Sequence, residues 1–208
     1  MYTDITGVIL AGGKSSRMGL NKSFLKLGNQ TIIERIVNLM KSIFTEVIII
    51  TNTPEEYKFL NLPIFEDIYK WKGPLAGIHS ALNNTKSDKI FVISCDVPLM
   101  NKKMIEYIIE YKTNKPIVFC NAAGFHQPLI GIYSKKILNK IEEIFLKEEL
   151  NDKSFHAFLK NVEAEIIDPS GLPFYKDELF FNVNRPEDFE EIKKFFSRYS
   201  ELFICHKI

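Results

Sequence analysis

The apolar residues of this chain fall into short uninterrupted runs, each closed by small or polar residues. Gly7–Ala11 reads as a strand buried on both faces, because a sheet covered by helices on both sides leaves no place for a polar residue. Val47–Ile50, Pro63–Phe65 and Ile90–Cys95 repeat that pattern, the first of them built entirely from β-branched residues. Between these runs the period changes. Thr31 with Glu34 three positions on predicts a capping box, and Ile33, Ile36, Val37, Met40 and Ile43 then recur at helical spacing. The stretch Gly73-Pro74-Leu75-Ala76-Gly77 opens another helix. Asn101 caps a third, with Met104, Ile105, Ile108 and Ile109 as its apolar face.

Further along, Pro116–Cys120 and Pro128–Tyr133 are predicted strands separated by a loop, Asn121–Gln127. Lys135–Leu146 and Ser154–Leu159 read as helices, Ala164–Ile167 and Phe180–Val183 as short strands. Pro186 suits a first helical position and opens a terminal helix with Phe189, Ile192, Phe195 and Phe196 facing inward. Glu148–Lys153 and Asp168–Glu178 are expected to be exposed loops. Alternating strands and helices predict a Rossmann-like three-layer α/β/α sandwich around a mainly parallel, mixed sheet. In such sheets ligands bind outside the carboxyl ends of the strands. The Gly-Gly segment after the first strand, Asn52, Asp67 and Asp96 all stand at such ends.

Composition narrows the classes. A chain of 208 residues is read as one domain, and 27 basic against 26 acidic side chains give no global basic field, which argues against a nucleic-acid partner. No apolar run is long enough to span a bilayer, and Met1-Tyr2-Thr3-Asp4 lacks the character of a signal peptide. Cys95, Cys120 and Cys205 are too scattered for a disulfide framework or zinc site and suit a reducing cytoplasm. Cys95 is expected to be a small buried hydrophobe, a catalytic thiol being the sharper alternative.

Chemistry concentrates in two places. The segment Leu10-Ala11-Gly12-Gly13-Lys14 continues to Arg17-Met18-Gly19 and Lys22. Adjacent glycines admit a ligand to the backbone, successive N–H groups can converge on an oxyanion, and Lys14, Arg17 and Lys22 add positive charge. This is a polyphosphate site by its chemistry. It is not a Walker A loop, since Val8 stands where the first glycine is required, and G-x-G-x-x-G spacing is missing. The second place is Cys95-Asp96-Val97-Pro98, where an apolar strand ends in a carboxylate held by proline. A hard carboxylate oxygen beside a phosphate loop suits Mg²⁺; the plain alternative is a turn aspartate binding its own backbone. Nucleotidyl transfer follows, with Arg17 and Lys22 stabilising departing pyrophosphate. An acceptor that is itself a phosphate needs no general base, and His79, His126, His156 and His206 are scattered.

Leu10–Gly13, Arg17-Met18-Gly19, Lys22, Gly73–Gly77, Cys95–Pro98 and Asn182-Val183-Asn184 together resemble the molybdenum cofactor guanylyltransferases, within the nucleotidyltransferase superfamily that also makes sugar nucleotides. The resemblance runs from about Ile5 to about Glu191. It implies the nucleotide-diphospho-sugar transferase type of fold and a cytoplasmic enzyme joining GMP from GTP to the terminal phosphate of molybdopterin, with transient contacts to other cofactor-biosynthesis proteins. It implies that Leu10, Ala11, Gly12, Gly13 and Lys22 bind GTP, that Asn52 and Asp67 contact the nucleotide, and that Asp96 binds both GTP and Mg²⁺. Asn182 and Asn184 match the pair on the molybdopterin side. Guanine could be read by Asp67 or by backbone of the Gly73–Gly77 loop. His126 and Gln127 could line the pterin pocket, with an exposed loop the expectation for His126. Trp71 could stack on a ring but is expected to be a packing anchor. The rivals are a cytidylyltransferase on the same cofactor, a sugar-1-phosphate nucleotidyltransferase, and a nucleotide-binding regulator without catalysis.

Overall fold

The computed structural model describes residues 1–12, 21–146 and 154–204. Its strands are β1 (Ile5–Leu10), β2 (Lys26–Leu27), β3 (Gln30–Thr31), β4 (Val47–Ile50), β5 (Ile64–Phe65), β6 (Lys89–Ser94), β7 (Ile117–Ala122), β8 (Phe125–Ser134) and β9 (Ala164–Ile167). The α-helices are α1 (Ile32–Lys41), α2 (Pro74–Asn84), α3 (Lys102–Glu110), α4 (Leu138–Leu146), α5 (Ser154–Lys160) and α6 (Pro186–Ile204). Thr31 forms the full capping box at α1: its hydroxyl accepts from the Glu34 N–H at 3.3 Å, and the Glu34 carboxylate accepts from the Thr31 N–H at 2.7 Å. Asn101 caps α3 by accepting from the Met104 N–H at 2.9 Å.

The main sheet has seven strands in the order β5-β4-β1-β6-β8-β7-β9. β1 pairs in parallel with β4 and β6, β4 with β5, and β7 with β9, while β8 runs against both its neighbours. Alternate residues of each central strand feed opposite cores, as the twofold period of a strand requires. Ile9, Ile49, Phe91 and Ile93 pack with α1, α3 and Ile192 of α6. Val8, Ile48, Ile50, Ile90 and Val92 pack with α2, α4 and α5. The result is the three-layer mixed sandwich that the alternating pattern predicts. Among the described residues no helix is long and apolar enough to cross a membrane.

Three expectations are corrected. Asn121–Gln127 is not a loop: β7 and β8 continue through it and join at Ala123 and Gly124, both at positive φ (52° and 79°). A two-residue turn of that hand matches the twist of the flanking strands. Phe180–Val183 is not a strand. A 3-10 turn covers Asp177–Phe180, and the segment then crosses the turn that follows β6, where the Val183 N–H donates to the Asp96 carbonyl at 2.9 Å. β6 already pairs with β1 and β8, so no ladder is left for it to join. Trp71 is no packing anchor: it is 66% exposed, with its backbone at φ 63°. Glu148–Lys153 lies outside the described residues.

Candidate functional site

Backbone bonds beyond the strand ends tie the carboxyl edge together. The Ala11 N–H donates to the Ile50 carbonyl at 2.9 Å, the Cys95 N–H to the Leu10 carbonyl at 3.1 Å, and the Thr51 N–H to the Phe65 carbonyl at 3.0 Å. Gly12 sits at φ 154°, which side-chain-bearing residues rarely adopt, and the nearest atom to a Cβ built there is the Thr51 Oγ1 at 3.7 Å. Among the described residues, a side chain at Gly12 would meet no clash, so its glycine is required by the backbone conformation. Gly13, Lys14 and Arg17 lie outside the described residues.

Asp96 holds the strongest electrostatic feature. Its Oδ1 is buried and has no hydrogen-bond partner among the described residues. Burial raises its carboxyl above the ordinary range, opposed by hydrogen bonds from Ser94 and its own N–H and by the charge of Lys22. A buried carboxylate oxygen without a donor is satisfied when a proton or a cation binds it. Being a hard oxygen donor, it fits Mg²⁺, so Asp96 is the residue that could hold the metal. The neighbouring Cys95 thiol is pushed up to about 12 by burial and by Asp96. It is half-buried and, as a protonated thiol, no nucleophile at neutral pH.

On one side of this edge stands a polar pair. The Asn52 Nδ2 donates to the Asp67 Oδ2 at 2.7 Å, and the Asn52 Oδ1 is buried without a partner among the described residues. Burial raises the Asp67 carboxyl, and the Asn52 bond partly offsets this. Gly77, in the first turns of α2, lies against them: a Cβ there would stand 3.0 Å from the Leu10 Cδ2 and 3.6 Å from the Asp67 Oδ1. Leu10, Asn52, Asp67 and Gly77 thus form one wall. On the other side the Lys22 Nζ donates to the Asn184 Oδ1 at 3.1 Å, across 162 residues of chain. With the Val183–Asp96 bond, this seats the Asn182–Asn184 segment on the same edge.

Beyond that segment lies an open groove of about 1330 Å³, lined among others by Phe125, Gln127, Tyr175, Phe181, Asn182 and Asn184. The Tyr175 hydroxyl accepts from the Ala123 N–H at 2.9 Å, joining the β7–β8 turn to the groove's far wall. Asn184 belongs to the groove and to the Lys22 contact at once. His126 is exposed, as expected, and its ring lies 5.8 Å from that of Phe119, outside the groove lining. His79 is buried among Tyr69 and Phe145. Sequence reading missed Ser94, Tyr175 and the residues flanking Lys22. Of these only Asn21-Lys22-Ser23 carried a signal, an asparagine two positions before a serine N–H.

A family profile described as the MobA-like NTP transferase domain matches residues 7–165. The chain is 38% identical over 198 residues to a "Probable molybdenum cofactor guanylyltransferase" of Carboxydothermus hydrogenoformans, covering 93% of this chain and 98% of that one. It is 30% identical over 193 residues to the molybdenum cofactor guanylyltransferase of Syntrophotalea carbinolica, covering 91% and 90%. The crystal structure of molybdopterin-guanine dinucleotide biosynthesis protein A from Archaeoglobus fulgidus shares the fold, with a TM-score of 0.79 at 19% identity over 93% of this chain and 100% of that one. The chain belongs to the MobA-like NTP transferases and, among them, to the molybdenum cofactor guanylyltransferase family.

Proposed function

We propose that this chain, as a single nucleotidyltransferase domain, transfers GMP from GTP to the terminal phosphate of molybdopterin. The products are molybdopterin guanine dinucleotide and pyrophosphate. The observation that carries the reading is the convergence of Lys22, Asp96 and Asn184 between a glycine-lined edge and an open groove. The names of the relatives supply the substrates.

An oxygen of the acceptor phosphate bonds to the α-phosphorus of GTP. The bond from that phosphorus to the oxygen bridging toward the β-phosphate breaks, and its electron pair leaves on pyrophosphate. The acceptor is anionic at neutral pH, so no side chain has to remove a proton. Lys22 neutralises charge on the β- and γ-phosphates as it grows, Arg17 assists, and the backbone of Leu10–Gly13 lines the phosphates. Asn52 and Asp67 hold the guanine end, with Gly77 allowing the close approach of α2. Asn182 and Asn184 face the pterin. Asp96 would hold Mg²⁺, which when bound would supply positive charge to the triphosphate.

A panel of GTP, CTP, ATP and UTP, each with molybdopterin and Mg²⁺, tests this by pyrophosphate release. Release with GTP is expected, and it requires molybdopterin. Preference for CTP would overturn the guanylyl assignment in favour of a cytidylyltransferase.

A further inference from the structure

The residues on either side of Lys22 are locked in a polar clamp that the reaction itself does not call for. The Asn21 Nδ2 donates to the Tyr57 hydroxyl at 2.9 Å and to the Glu56 Oε2 at 2.7 Å. The Asn21 Oδ1 accepts from the Ser23 N–H at 3.2 Å and from the Ser23 hydroxyl at 2.6 Å. The Ser23 and Tyr57 hydroxyls stand 3.1 Å apart. Counting protons settles the direction of this last bond. The Ser23 hydrogen is spent on Asn21, so the Tyr57 hydroxyl donates to the Ser23 Oγ. Asn21 to Tyr57, Tyr57 to Ser23 and Ser23 to Asn21 then form a closed ring. Both Asn21 hydrogens and both lone pairs of its oxygen are used, which fixes its amide in one orientation.

Tyr57 is fully buried, and its ring lies 5.3 Å from that of Phe24. It belongs to the 3-10 helix Pro54–Leu60, which follows Asn52 directly. Lys22 begins another 3-10 turn, Lys22–Phe24, whose cap is Asn21. At its far end the Lys22 ammonium touches Asn184. A flexible four-carbon side chain therefore starts from a backbone with no freedom. Holding a charged group in place before its ligand arrives reduces the ordering cost of binding.

We infer that Tyr57 is a positioning residue for Lys22, acting through Asn21 and Ser23 while Glu56 holds the second Asn21 hydrogen, and that this clamp sets the affinity for the triphosphate end of the nucleotide. The inference rests on the reading of Lys22 as a phosphate ligand. It also joins the two ends of the nucleotide, because the Pro54–Leu60 helix leaves the strand whose end carries Asn52.

Calorimetry with GTP and GMP tests it. Tyr57→Phe keeps the ring packed on Phe24 and removes the hydroxyl. It is expected to weaken GTP roughly 3- to 10-fold, the worth of a hydrogen bond or two, and to leave GMP unchanged. In a Lys22→Ala background the same change should cost GTP nothing more. A merely structural tyrosine would lower Tm with both affinities unchanged or both weakened alike, and that result overturns the inference. So does a full loss of GTP affinity added on top of Lys22→Ala. Glu56 is exposed, so its variants keep the test decisive should Tyr57→Phe fail to fold. Glu56→Ala is expected to weaken GTP selectively, whereas Glu56→Gln, which retains an acceptor for Asn21, restores it; equal GTP affinity in both overturns the clamp. If Lys22→Ala alone leaves GTP affinity intact, the phosphate reading of Lys22 fails and the inference goes with it. If Lys22→Ala weakens GTP and neither clamp variant does, only the inference fails.

Discussion

Replacing Asp96 by asparagine changes one atom and one charge, and the structure makes its two consequences opposite in sign. The Oδ1 of Asp96 is buried with no hydrogen-bond partner among the described residues, and burial raises its carboxyl. A group whose pKa is raised on folding binds its proton better in the folded state. In the metal-free protein at neutral pH its ionised form therefore works against folding. The amide of the variant carries no such charge, so Asp96→Asn is expected to raise Tm in the presence of a chelator. Catalysis moves the other way. A charge interaction at about 4 Å, with an effective dielectric of about 20, is worth about 4 kcal/mol, and losing it slows turnover by roughly 10²–10³-fold. Added Mg²⁺ should raise the Tm of the parent and not of the variant. The assays are scanning calorimetry with and without Mg²⁺ and pyrophosphate release at limiting Mg²⁺. A variant with near-parental turnover there would remove Asp96 from the metal and from the mechanism.

Lys22→Ala should weaken GTP more than GMP by titration, because the ammonium is assigned to the β- and γ-phosphates; equal losses would move it elsewhere. The two asparagines should separate. Asn184→Ala frees the Lys22 ammonium and is expected to alter GTP affinity as well as molybdopterin turnover. Among the described residues the Asn182 side chain bonds only the Phe180 carbonyl, so Asn182→Ala should impair molybdopterin turnover with GTP affinity kept; a loss of GTP affinity there would refute the division. Glu34 is held below the ordinary carboxylate range by the Thr31 N–H and hydroxyl. A depressed carboxylate stabilises above its unfolded pKa and loses that contribution as pH falls through the folded one. Glu34→Gln should therefore lower Tm at pH 7 and narrow the difference between pH 7 and pH 3; an unchanged difference would count against the capping box.

Much of this was written in local pattern. The capping box at Thr31, the Asn101 cap and the alternating central strands need only neighbours in sequence, and each appears as the spacing predicts. The corrections have separate causes, one at long range and one in a turn. Phe180–Val183 has the residues of a strand, but β6 was already paired on both sides. The β7–β8 turn puts an alanine at φ 52°, a position its residue type does not advertise. In the site, the strand ends that carry Gly12, Asn52, Asp67 and Asp96 were legible from the parallel architecture. The contact of Lys22 with Asn184, and the ring that Tyr57 closes around Asn21, were not. Each joins segments far apart in the chain by side-chain geometry that periodicity does not encode.

Labelled GTP tests the central claim most directly. The chain is incubated with molybdopterin, Mg²⁺ and GTP carrying its label on either the α- or the γ-phosphate, and the products are separated. Transfer of GMP predicts that the α-label moves into a molybdopterin guanine dinucleotide of the matching mass, while the γ-label appears only in pyrophosphate. A γ-label in the pterin product, or release of free inorganic phosphate in place of pyrophosphate, would contradict it.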